Sequence, residues 1–191
     1  MRLFAAIELP QQLLDDVAAW WQGACLHLPA SEWRDIPKCN WHLTLAFYGD
    51  VGGQDVDDLA EELAACAAGT VPLQLRLDRF GVFPNWGRAR VFWIGVTDAD
   101  QGGRLKSFAH CCRRAAHATV RKPSAREEPF RGHITLARRR GFPAPLAPGV
   151  LADIPPLPRA AWTVEEVTLF QSQLCKDGAR YRVVEQFDLS G

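Results

Sequence analysis

The chain has no net charge: twenty-two basic side chains balance twenty-two acidic ones over 191 residues. That balance argues against tight, indiscriminate binding of nucleic acid, which needs an excess of positive charge. No apolar run is long enough to cross a bilayer. The short one in MRLFAAIELPQQLLDD leads into acidic residues without a small-residue cleavage site, so it is not read as a signal peptide. A cytoplasmic protein with no membrane partner is expected. Cys-x-x-Cys spacing is also missing. The six cysteines (Cys25, Cys39, Cys66, Cys111, Cys112 and Cys175) are scattered, several on apolar stripes where a free thiol packs as a small hydrophobe. No disulfide framework is expected. Gly-x-Ser-x-Gly, the signature of a serine hydrolase elbow, does not occur. GVFPNWGRA has two glycines but neither the Lys nor the Ser/Thr of a triphosphate-binding loop, and it reads as a turn between strands.

What is present is ordinary in amount and uneven in placement. Hydrophobic residues at 48% and charged residues at 23% suit a soluble domain with a real core, in one unit or two small lobes. Residues 1 to 75 hold eleven acidic side chains against Arg2, Arg34 and Lys38. Residues 104 to 140 reverse this, with eleven basic side chains against Glu127 and Glu128. The second block predicts a local anion site.

Hydrophobic periods near two and near 3.6 alternate along the chain, which predicts a mixture of strands and helices. RLFAAIEL reads as a strand. Pro10 then suits the first turn of a helix with Leu13, Leu14, Val17, Trp20, Trp21 and Cys25 inward. A second helix is predicted over about 55 to 68, with Val56, Leu59, Leu63 and Cys66 buried, aspartates at its positive end and Gly69 to stop it. VPLQLRLDRF alternates as a half-wet strand, and RVFWIGV reads as its more buried neighbour. A third helix over about 101 to 118 turns Leu105, Phe108, Ala109, Cys112 and Ala116 inward and carries Arg113 and Arg114 near its negative end. Residues 141 to 160 hold six of the thirteen prolines and form a connector. TVEEVTLFQSQL and ARYRVVEQFDL, separated by CKDG, close the chain as a hairpin.

Two of these segments echo each other. WHLTLAF at residues 41 to 47 returns as GHITLAR at residues 132 to 138. Each copy is short and rich in β-formers, so each is read as a strand. Period two then sets His42 and Thr44 on one face with Leu43, Leu45 and Phe47 on the other, and His133 and Thr135 opposite Ile134 and Leu136. One His-x-Thr alone is best read as the wet face of an edge strand. Two copies are different, because the chain has five histidines and two occupy the same slot, whereas His27, His110 and His117 lie on or beside helical stretches. If the strands meet across a cleft, two imidazoles and two hydroxyls converge. That set can hold a tetrahedral anion while one imidazole takes a proton from water and the other gives one to the leaving oxygen.

The paired HLTL and HITL motifs, in a chain of this length, resemble the two-histidine (2H) phosphoesterase superfamily. Within it they look most like the RNA 2′,3′-cyclic phosphodiesterase family, also called the 2′-5′ RNA ligase family. The likeness runs through RLFAAIELP, HLTLAFYGDV, FGVFPNWGRARVFWIGV, PFRGHITLARR, LFQSQL and YRVVEQFDL. It implies a bilobal, duplicated α+β fold over residues 1 to 191, one motif per lobe, with two antiparallel sheets facing across a central cleft and helices outside. It also implies a monomer that works without metal or other cofactor on RNA ends or nucleotides bearing a 2′,3′-cyclic phosphate. By resemblance His42 is the proton donor, His133 the acceptor, and Thr44, Thr135 and Arg138 bind phosphate. Two departures stand out. Gly132 occupies a place where proline often precedes the second His, which is expected to loosen the backbone there. Strict alternation sends Arg138 to the side of Ile134 and Leu136, so it reaches phosphate only if the strand ends or bulges near Ala137.

Other chemistries fit less well. Zinc on Cys39, His42 and His133 lacks a carboxylate or second cysteine at ligand spacing and leaves the threonines unexplained. A non-catalytic RNA-end-binding module would need the basic segment but not two proton-transfer groups. A phosphodiesterase for small cyclic nucleotides would use the same residues; groove width and the placement of Arg76, Arg79, Arg88 and Arg90 separate it from an RNA enzyme.

Overall fold

The computed structural model describes residues 1–119, 129–175 and 178–191. The basic side chains Arg121, Lys122 and Arg126, with Glu127 and Glu128, lie outside the described residues, as does part of the CKDG turn.

Among the described residues, nine strands and four α-helices follow in the order β1 (Arg2–Glu8), α1 (Gln11–Ala24), β2 (Trp33–Asp35), β3 (His42–Asp50), α2 (Val56–Ala68), β4 (Leu73–Phe83), β5 (Val91–Asp98), α3 (Arg104–Thr119), β6 (His133–Arg139), α4 (Pro148–Ala152), β7 (Ala161–Val164), β8 (Glu166–Cys175) and β9 (Gly178–Asp188). Each helix and strand read from periodicity is present, with ends shifted by a few residues. In α1, Leu13, Val17, Trp20, Trp21 and Ala24 are buried, and the Trp20 indole N–H donates to Pro155 O at 2.9 Å. The connector is tied down by that bond and holds the short α4, which begins on a proline. Asp98 is buried because it starts a helix: its Oδ1 accepts the Leu105 N–H at 2.9 Å in the first turn of α3. The strand β2 is not foreseen by pattern, and the closing strand read from Thr163 is divided into β7 and β8; β2 and β7 are three and four residues long, too short to display a period.

All described strands pair antiparallel in one curled sheet, in the order β7-β4-β5-β6-β3-β1-β8-β9, with β2 added to β6. This corrects the expectation of two separate sheets. The halves β7-β4-β5-β6 and β3-β1-β8-β9 are joined at the seam between β3 and β6, where one pair, Leu43 opposite Ile134, is in register. Both residues are fully buried in a core that also takes the inner faces of α1, α2 and α3. That core continues across the seam. Among the described residues no helix is long and apolar enough to cross a membrane.

Cysteine chemistry differs from expectation at one pair. Cys66 on α2 and Cys111 on α3 form a disulfide, so Cys66 is not the free hydrophobe its stripe suggested. The partner at 111 was hidden because helix–helix contact is not visible in linear spacing. Cys25, Cys39, Cys112 and Cys175 are free thiols.

Candidate active site

The seam places the two His-x-Thr strands side by side and antiparallel, which brings Thr44 toward His133 and His42 toward Thr135. Within each strand the backbone does the same thing. On β3, Ala6 faces Thr44 and Ala5 faces Ala46, so Leu45 is an extra residue. On β6, Trp93 faces Thr135 and Phe92 faces Ala137, so Leu136 is the extra residue. A β-bulge of this kind reverses the facing of everything beyond it. The burial sequence is identical in the copies: half-buried His, buried Leu or Ile, half-buried Thr, two buried residues, then an exposed one.

That exposed sixth residue is Phe47 in one copy and Arg138 in the other. Arg138 therefore stands on the side of His133 and Thr135, and the bulge that its participation required is present. Phe47, expected on the apolar side, is corrected by the same device: it is 66% exposed and lines the cleft. The bulged carbonyls are both satisfied. Arg113 Nε donates to Leu45 O at 3.3 Å, and the Ile36 N–H donates to Leu136 O at 2.7 Å.

The two imidazoles are held alike. His42 Nδ1 lies 2.7 Å from Asn40 O, and His133 Nδ1 lies 2.7 Å from Arg131 O. A carbonyl can only accept, so each Nδ1 carries the proton and each Nε2 is left for exchange with a ligand. The Asn40 side chain is itself anchored, Nδ2 donating to Ala179 O at 2.8 Å on β9. Aromatic rings fix the imidazole planes. His42 sits 5.1 Å from Phe4 and edge-on at 5.2 Å from Tyr181. His133 sits edge-on at 4.9 Å from Phe83, which stacks on Trp93.

Charge and burial act in one direction on both histidines. Desolvation, then the neighbouring His133 and Arg138 charges, push His42 down to about 4, against a partial lift from the Asn40 carbonyl. His133 is lowered too, by desolvation first and Arg138 besides, with the Arg131 carbonyl opposing. The influence of His133 on His42, and that of Arg138 on each, shows the three groups share one electrostatic neighbourhood. Thr44, His133, Thr135 and Arg138 line one cavity of ≈ 700 Å³, with Phe47, Phe83, Arg90, Arg113, Phe130 and Arg131. His42 is not part of that lining; it stands at the seam behind Phe4 and Tyr181. Arg76, Arg79 and Arg88 are not among the lining residues, whereas Arg90 is.

Sequence reasoning missed three contributors. Arg113 looked like a helix-end charge, yet it reaches β3 and stacks 5.3 Å over Phe130. Phe47 was misplaced by one bulge. Tyr181 gave no signal in its strand, although it touches His42 and feels Arg138, which opposes the rise that burial imposes on its hydroxyl.

Gly132 corrects a further expectation. A Cβ there would lie 2.5 Å from Val96 O and 3.1 Å from Leu105 Cδ2, while Gly132 O accepts the Val96 N–H at 2.9 Å. The backbone before His133 is thus clamped, and only glycine permits the close approach. Among the described residues no group of three or more His, Cys, Asp or Glu is placed to hold a metal ion.

Known proteins share this fold and part of this sequence. An RNA 2′,3′-cyclic phosphodiesterase of Thermus thermophilus is 34% identical over 198 residues, covering 100% of this chain and 91% of that one. One from Escherichia coli K12 is 30% identical over 192 residues, covering 99% and 97%. The crystal structure of TT0787 from Thermus thermophilus matches with a TM-score of 0.82 at 31% identity, covering 100% of this chain and 99% of that one. Escherichia coli LigT complexed with 3′-AMP matches at 0.77 and 27%, covering 100% and 98%. Residues 10–174 match the sequence model of the 2′-5′ RNA ligase superfamily, and the chain belongs to that superfamily.

Proposed function

We propose that the protein hydrolyses RNA ends bearing a 2′,3′-cyclic phosphate to 2′-phosphate ends, without metal. The observation that carries this reading is the twin arrangement of His42 and His133, each donating Nδ1–H to the carbonyl two residues upstream and keeping Nε2 for proton transfer. The full-length relatives named as RNA 2′,3′-cyclic phosphodiesterases support the same reaction class.

In this mechanism His133 takes a proton from water as its oxygen attacks phosphorus. The bond from phosphorus to O3′ breaks, and His42 gives its proton to that oxygen, leaving a 2′-phosphate and a 3′-hydroxyl. Thr44, Thr135 and Arg138 hold the phosphoryl oxygens as charge grows on them. The lowered His42 value sets a condition on these roles. A proton arriving first would prefer the less depressed imidazole, so in this mechanism His42 acts as acid only once the anionic phosphate beside it raises its basicity against the desolvation that lowers it. A 5′-hydroxyl RNA end in the place of water gives slow, reversible 2′-5′ joining by the same steps.

Residues 1 to 191 are read as one duplicated, bilobal unit with one motif per lobe, joined at the Leu43–Ile134 seam, with 141 to 160 as connector, working as a cytoplasmic monomer. The test is an RNA oligonucleotide with a 2′,3′-cyclic phosphate end, incubated in EDTA, followed by mapping of the oxygen that retains phosphate. A 2′-phosphate is expected. A 3′-phosphate product, or activity abolished by EDTA, overturns the proposal.

A further inference from the structure

Beside the cleft lies a second cavity, of ≈ 360 Å³, lined by Arg34, Arg90, Arg138, Arg139 and Arg140. It shares Arg90 and Arg138 with the catalytic cavity, so the two are contiguous. The backbone forces this crowding. Arg34 on β2 faces Arg138 on β6 directly in register, and Arg138 faces Val91 on its other flank. Arg90 is drawn in by its carbonyl, which accepts the Arg139 N–H at 2.8 Å. Like charges directly opposite on neighbouring strands repel.

The five guanidinium groups are not equivalent. Arg139 is nearly buried, is paired with Glu32, donates to Ala144 O at 2.9 Å and lies 5.9 Å over Trp33. It is a wall. Among the described residues the Arg140 side chain makes one long bond, Nε to Trp33 O at 3.5 Å, and no ion pair. Arg34, Arg90 and Arg138 have no carboxylate within ion-pair distance among the described residues. A solvated basic face spreads its charges apart, but here four unneutralised ones border one concavity. An anion that bridges them removes the repulsion and gains charge-assisted bonds from planar, two-pronged donors.

We propose that this cavity is a subsite for the phosphodiester on the 5′ side of the terminal nucleotide. The proposal rests on the RNA-end reading above, and it makes an oligonucleotide a better ligand than a mononucleotide. A free polyphosphate offers the same chemistry, so the experiment separates the two sources.

The experiment measures equilibrium binding of adenosine 2′-phosphate, of the dinucleotide ApA carrying a 2′-phosphate at its 3′ end, and of inorganic pyrophosphate, each over a range of salt. The dinucleotide should bind roughly tenfold more tightly at low salt, with a log–log salt slope steeper by about 0.7 for its one added phosphate. The double variant Arg34→Gln/Arg140→Gln should bring the two nucleotides to the same affinity within about twofold and erase the extra slope. Arg34→Lys, which keeps the charge, should retain most of that slope; Arg34→Gln alone serves if the double variant does not fold. Wild-type protein that binds both nucleotides equally overturns the subsite and leaves the catalytic reading standing. Protein that binds neither overturns both. Pyrophosphate binding that falls about tenfold in the double variant, with no dinucleotide preference in wild type, makes the cavity a free-polyphosphate site and overturns the RNA assignment.

Discussion

The two motif strands share a backbone and differ in what that backbone presents. β3 and β6 have the same bulge, the same pattern of burial and the same hydrogen bond behind each imidazole. At the first position beyond the bulge they part: Phe47 on one, Arg138 on the other. The histidine environments part as well. Phe4 and Tyr181 enclose His42 at the seam, whereas His133 opens on the main cavity beside Phe83. Scaffold geometry is thus duplicated while charge is not, and in the mechanism proposed above this asymmetric charge lets two identical side chains take opposite proton-transfer roles.

The most severe way to break the comparison is to remove either imidazole. His42→Ala and His133→Ala should each lower kcat by about 10²-fold to 10⁴-fold, the range for a positioned acid or base. A phosphodiester whose leaving group needs no proton, such as a nitrophenyl ester, separates the two. It should restore most of the activity of His42→Ala and little of that of His133→Ala. Rescue of both variants alike, or of His133→Ala alone, would reverse or cancel the assigned roles.

Next in size is the divergent sixth position. Arg138→Gln should cost about 10²-fold in kcat/KM, as expected when a donor to developing negative charge is lost. Phe47→Ala should instead raise KM roughly tenfold for substrates that carry a base, because an exposed ring at the mouth of a phosphate site is a platform for stacking. Its kcat should hold. Equal effects on kcat from both changes would mean that Phe47 contributes to the phosphate grip and the asymmetry is only apparent.

Gly132→Ala probes the backbone itself. The added methyl meets the Val96 carbonyl at 2.5 Å, so β5 and β6 must separate just before His133. Overpacking of this kind costs about 1–3 kcal/mol of stability, and activity should fall beyond what unfolding explains. Thermal melting alongside kinetics checks this. A variant as stable and active as wild type would show that the clamp has slack.

Much of this was legible in the sequence, and what was not has a common cause. The elements with clear periods, the seam histidines and the threonines follow from local pattern alone. Phe47 and Arg138 changed sides because a bulge inserts one residue without any mark in composition; Ala46 and Ala137 look like any other strand alanine. Arg113, Tyr181 and the Arg34–Arg138 pair depend on contacts between segments far apart in the chain, which no window of residues displays. The joining of the halves into one sheet rests on a single residue pair, a feature too small for pattern reading to resolve.

The smallest expected effect sharpens the contrast between the two imidazoles through pH. Both fall below the ordinary 6.5, His42 to about 4. A group whose folded value is depressed binds fewer protons folded than unfolded between the two values, so the folded state loses stability as pH falls from about 6.5 toward 4 and regains it above. His42 should account for more of this slope than His133. His42→Gln should therefore lessen the drop in Tm between pH 7 and pH 4.5 by a few degrees, and His133→Gln by less. Saturating inorganic phosphate should shrink the wild-type drop as well, because an anion beside the imidazoles raises both and is bound by the folded form alone. A His42→Gln protein whose Tm follows pH as steeply as wild type would show that the imidazole is not desolvated at the seam, and the asymmetry between the two strands would then rest on Phe47 and Arg138 alone.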